Sequence, residues 1–202
     1  MIKDNKLEII SSNEDFDTWI TKNYVSKELQ PLLKNASILI VPFERFKDYN
    51  SPTFPSGTAD FYQYALEKLP KEYSIEIGIN EDLYQELSLH SNSQNVGKFV
   101  VGVIVLPIFV NLVSSYFYDK LRQEDTKPVI QQVIIDNSIH IENKQIVEKK
   151  EPKKFMQKSY IKFSVTVVDT IKGRSKEIHY EGPANEVKNI IEQANKFISD
   201  DN

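Results

Sequence analysis

Pro107, Asn111, Ser114, Ser115 and Tyr118 stand at i, i+4, i+7, i+8 and i+11 within the run KFVVGVIVLPIFVNLVSSYFYDK. On a helix that spacing draws a single stripe. An amide and two hydroxyls among apolar neighbours need partners, supplied either by a second copy of the same helix or by water. The stripe Pro107, Asn111, Ser114 and Ser115 therefore reads as a helix-packing face in an oligomer or as the lining of a pore. Pro107 removes one backbone hydrogen bond and is expected to kink or interrupt the helix.

A second set of residues could do anion chemistry. Residues 144–176 hold ten Lys/Arg against three Asp/Glu, a local balance of +7 in a chain whose net charge is −4. Lys154, Lys158, Lys162, Arg174 and Lys176 are the candidates for holding a nucleotide or a short oligonucleotide, with Phe155 and Tyr160 available to stack bases. Anionic lipid headgroups compete for the same charges if the patch lies near a membrane. A solvated linker and a charged hairpin tip are the structural alternative. The acidic first half, with nine Lys/Arg and fifteen Asp/Glu in residues 1–95, is unsuited to a polyanion.

Catalytic and metal chemistry find little support. The absence of cysteine excludes disulfides, thiolate zinc sites and cysteine nucleophiles, and His90, His140 and His179 show no ligand spacing. Glu44, Asp48 and Asp60 lie in or near the proline-rich loop 42–57 without the spacing of a paired-carboxylate or metal site. A loop packed down by Phe43, Phe46, Tyr49 and Phe54 is the simpler reading. There is no P-loop, HExxH or GxSxG. The expectation is a protein that is not an enzyme and uses no cofactor and no metal.

The elements that must carry the stripe come next. Residues 99–118 are twenty in a row without a charge. As a helix they cover roughly 30 Å, the hydrocarbon thickness of a bilayer. Lys98 before the run, and Asp119, Lys120 and Arg122 behind it, mark its ends, with Tyr116, Phe117 and Tyr118 as an interfacial aromatic cluster. The expected fold class is thus an α+β membrane protein: a small α/β domain over 1–95, one transmembrane helix over 96–119, and a strand-rich ββββα domain over 120–202. The excess of Lys/Arg after the span places the C-terminal half in the cytosol. A hairpin re-entering at Pro107 is the alternative. The N-terminus lacks the pattern of a secretory signal.

Within 1–95, Ser11 or Ser12 is expected to cap a helix over 11–23, with a short second helix interrupted near Pro31. SILIVP (37–42) reads as a buried strand and SGTADFYQYALEKL as a helix with Phe61, Ala65, Leu66 and Leu69 on one face. YSIEIGI (73–79) reads as a half-buried strand, and NEDLYQELSLH as a helix capped by Asn80. Within 120–202, PVIQQVIIDNSIHIE reads as a hairpin turning at Asp136–Asn137. YIKFSVTVVDT and EIHYEG read as a second strand pair. GPANEVKNIIEQANKFIS reads as an amphipathic helix with Val187, Ile190, Ile191, Ala194, Phe197 and Ile198 on one stripe.

An apolar segment between two small soluble parts, NVGKFVVGVIVLPIFVNLVSSYFYDK, resembles the short membrane effectors of bacterial anti-phage systems, among them the channel component of the Hailong system. The resemblance is one of layout, and it carries over no ligand residue. It implies a homo-oligomeric channel in the bacterial inner membrane, crossing once. A partner nucleotidyltransferase would make short deoxyadenylate strands that hold the channel closed until infection. Two function classes follow: a ligand-gated channel or pore-forming effector, and a single-span anchor or scaffold that recruits a partner protein.

Overall fold

The computed structural model describes residues 5–45, 49–88, 94–125, 160–189 and 192. Its centre is a six-stranded mixed sheet built from β1 (Lys6–Ser12), β2 (Ile38–Val41), β4 (Ile75–Ile77), β6 (Gln94–Gly102), β7 (Tyr160–Asp169) and β8 (Arg174–Pro183). The spatial order is β1-β8-β7-β6-β2-β4. β6 runs parallel to β7, and β2 parallel to β4; the other pairs are antiparallel. A two-stranded ribbon, β3 (Phe54–Pro55) with β5 (Glu86–Leu87), stands apart. The helices are α1 (Phe16–Ile20), α2 (Gln30–Lys34), α3 (Thr58–Lys68) and α4 (Leu106–Asp125).

The transmembrane helix is the reading that this architecture overturns. Residues 99–118 do not form one helix. Phe99–Gly102 complete β6, residues 103–105 turn, and α4 starts only at Leu106. The turn is closed by the Val105 N–H on the Gly102 carbonyl at 2.9 Å, after which Phe109 N–H returns to Val105 at 3.0 Å. Phe99, Val100 and Val101 suit a pleated strand covered on both faces better than a helix. β6 lies between β2 and β7 in the sheet, with Val96, Phe99, Val100 and Val101 buried. Among the described residues no helix is long and apolar enough to cross a membrane.

α4 then packs on the same core. Leu106, Phe109, Val110, Val113, Tyr116 and Phe117 are buried, whereas Pro107, Asn111, Ser115 and Tyr118 are exposed. The Phe109 ring meets Phe99 of β6 at 4.8 Å and Phe163 of β7 at 6.1 Å; Tyr116 meets Phe61 of α3 at 5.3 Å. A run that is nearly uniform in hydrophobicity is therefore used twice, once as a central strand and once as the helix that covers it. Pro107 is the second residue of α4, in the first turn, where backbone N–H groups have no intrahelical acceptor. It starts the helix and does not kink it.

Two strands of the expected ββββα domain, β7 and β8, belong to the one sheet as well. β7 and β8 form the hairpin expected from their alternation, but β7 continues onto β6 and β8 onto β1. The hairpin at 128–142 lies outside the described residues, as does most of the final helix. Its first turn follows the 3-10 turn Ala184–Glu186, with Val187 buried.

Local details differ for identifiable reasons. Ser11 and Ser12 end β1 and cap no helix; Asp15 caps α1, its Oδ1 accepting from Thr18 N–H at 2.7 Å, with Thr18 reciprocating. Pro31 sits in the first turn of α2. The helix expected over 80–90 is instead a 3-10 turn, Glu81–Leu83, followed by β5. There the Asn80 side chain is taken by Ser26 N–H at 2.8 Å. Glu86 accepts N–H bonds from Gly57 and Ala59, both at 2.8 Å, at the start of α3.

Candidate ligand groove on the outer side of α4

α4 must bury its apolar side against Phe99 and Phe163, so its remaining side faces outward, and that side carries the polar stripe. Asn111, Ser114, Ser115 and Tyr118 line a cavity of about 780 Å³. The facing wall comes from the end of α3, with Tyr64, Lys68, Leu69 and Pro70, and from Ala184, Asn185 and Lys188 after β8. Ile108 and Leu112 form apolar floor. The size lies within the roughly 300–1,000 Å³ range of small-molecule sites, which combine an apolar lining with a few convergent polar groups.

The polar groups are unevenly committed. Tyr64 donates to Asp119 Oδ2 at 3.0 Å. Burial first, then that bond and the Asp119 charge, push the Tyr64 hydroxyl up to about 12, so it stays a neutral donor. Asp119 is thereby occupied. The Lys68 ammonium stands 5.9 Å from the Tyr64 ring centroid. Ser114 Oγ is buried with no hydrogen-bond partner among the described residues. Among the described residues the groove is lined by two ammonium groups, two amides and several hydroxyls against one engaged carboxylate. Its electrostatics favour an anion that also has an apolar body.

The other predicted residues distribute differently. Pro107 is exposed at the start of α4 and is not among the residues lining the cavity. Lys154 and Lys158 lie outside the described residues. Lys162 is exposed and pairs in register with Glu181, whereas Arg174 pairs with Asp169 and Lys176 with Val167. Side chains alternate along a strand, so Lys162 and the pair Arg174/Lys176 occupy opposite faces of the sheet. Arg174 Nε stands 4.0 Å from Asp169 Oδ2. These three cations do not converge on one anion.

A polar cluster that sequence reading missed lies on the sheet face opposite α4. Lys98 of β6, only 16% exposed, bonds Glu14 at 2.8 Å and approaches Glu177 of β8 at 3.4 Å. Its ammonium is 5.0 Å from the Trp19 ring centroid, and Lys22 approaches the same ring at 5.1 Å. Glu44 accepts from Lys22 at 2.8 Å and from Tyr24 at 3.1 Å. Burial alone would raise the Glu44 carboxyl, but the Lys22 and Tyr24 bonds and the Lys22 and Lys98 charges outweigh it and hold it low. The arrangement pins α1 and the loop after β2 to the sheet. The signal for it is the lysine inside the apolar strand NVGKFVVG, the residue that marks the front of the expected span. Among the described residues no group of His, Cys, Asp and Glu is placed to hold a metal ion.

Comparisons with protein families, with curated proteins and with solved structures return no match for this chain.

Proposed function

We propose that this chain is a non-catalytic binding protein. The groove beside α4 takes a small anionic ligand of nucleotide type, and the bound state is read by a partner. One observation supports the reading above others: the polar side of a core helix lines a cavity flanked by Lys68 and Lys188. Phosphate oxygens would meet the two ammonium groups and the Asn111 and Asn185 amides. A base or other flat apolar body would lie on Ile108, Leu112 and the Tyr64 and Tyr118 rings. This retains the ligand-response and scaffold parts of the sequence expectation. Conduction is not carried forward, because the segment expected to form the pore is β6 and α4 of the core.

The test is calorimetric titration of the full chain with AMP, ATP and a short oligodeoxyadenylate. Binding is expected for at least one of them. Asn111→Leu, and Lys68→Ala with Lys188→Ala, should each weaken it about tenfold, equivalent to ~1.4 kcal/mol. No binding to any of the three, or binding indifferent to both variants, refutes the reading.

A further inference from the structure

β1 is the terminal strand of the sheet, and among the described residues it is paired through β8 alone. Its register with β8 runs unbroken from Lys6↔Glu181 to Ser12↔Ser175. Free sheet edges are templates for another strand, and proteins usually blunt them with charges, prolines, bulges or shortness; the two charges of β1, Lys6 and Glu8, are of opposite sign and can pair across such a contact. The opposite edge is short: β4 has three residues. β1 has seven, KLEIISS, with no proline and no bulge. Leu7 and Ile9 are partly buried against the core on the α4 side of the sheet, so the edge is backed by apolar packing.

We propose that β1 pairs antiparallel with β1 of a second copy, about a two-fold axis through Leu7. A two-fold perpendicular to the sheet requires facing side chains to share a face, so each allowed register centres on one residue. Centring on Glu8 sets Glu8 against Glu8, a like-charge pair that repels. Centring on Ile9 sets Lys6 against Ser12 and Glu8 against Ile10, which pairs no charges. Centring on Leu7 sets Lys6 of each copy against Glu8 of the other and Leu7 against Leu7. Among registers centred within β1, that one alone sets each charge against its opposite; it places Leu7 on Leu7, and the strand-to-strand contact spans Lys6–Glu8 of each copy. Because the contact is isologous, it closes with two chains and makes one continuous twelve-stranded sheet from two six-stranded ones.

The chain has no cysteine, so single introduced thiols report the register without background. Under mild oxidation Leu7→Cys is expected to form a disulfide-linked dimer, since facing Cα atoms in an antiparallel pair are about 4.5–5.5 Å apart. Ile9→Cys is expected to stay unlinked, because in this register the two thiols are offset by four residues, roughly 14 Å. By sedimentation equilibrium, Lys6→Glu should raise the dimer dissociation constant about tenfold by setting Glu against Glu. Lys6→Glu combined with Glu8→Lys should restore it. The proposal is overturned if Leu7→Cys remains monomeric on non-reducing gels. Linkage through Ile9→Cys, or a double charge exchange that fails to recover the dimer, overturns it equally.

Discussion

Single residues in this protein take their meaning from what covers them. Glu76 of β4 is a half-buried carboxylate whose affinity for its proton is raised by burial, partly offset by a hydrogen bond from Tyr62. A carboxyl with a folded value above its unfolded value favours the fold while protonated. That contribution is complete below the unfolded value and disappears as pH rises through the folded one. Glu76→Gln keeps an acceptor for Tyr62 without the buried charge. It should therefore raise the melting temperature at neutral pH, and the gain should vanish below the ordinary carboxylate range of about 4. Thermal melts across pH decide this; an equal gain at every pH would show that charge is not the cause. Glu86 is the opposite case. Burial pushes it up, but the Tyr84 hydroxyl and the N–H groups at the start of α3 bring it below its usual value, so its support for the fold is lost only in acid.

At the scale of the element, α4 behaves as an ordinary amphipathic helix placed in an unusually apolar stretch of sequence. Phe109 is fully buried between β6 and β7, and Phe109→Ala should cost about 3–5 kcal/mol. Asn111→Ala on the exposed side should stay within about 0.5 kcal/mol. Urea unfolding followed by far-UV circular dichroism separates the two. Comparable losses at both positions would mean that the outer side of α4 is also packed. The polarity of the stripe was legible in the sequence. Its surroundings were not, because a packing face, a pore lining and a solvated groove all ask for the same residues at helical spacing.

For the molecule as a whole, β6 joins β2 to β7, so residues from both sides of the apolar run share one sheet and one core. A membrane span could be removed to release a folded soluble remainder, whereas a central strand and its covering helix cannot. Deleting 99–118 is therefore expected to abolish the near-UV dichroism and the cooperative thermal transition. A deletion product that still melts cooperatively would contradict the shared core.

Local pattern by itself determined several elements. β2, α3, β7 and β8 lie where apolar runs, helical spacing or clean alternation put them, because those periodicities report directly which face is buried. The sequence also established the polar stripe and the absence of cysteine chemistry. It did not determine whether the run 99–118 was one element or two. Twenty uncharged residues satisfy a bilayer-spanning helix, and they equally satisfy a strand and a helix buried on each other. Only the partners settle that choice: β2 and β7 flank β6, and Phe61 and Phe163 receive the rings of α4. The place of β1 depended on tertiary structure for the same reason. KLEIISS becomes a strand because β8 offers it an edge, and even at the nearer end of the pair, Ser12↔Ser175, that edge lies 163 residues further along the chain.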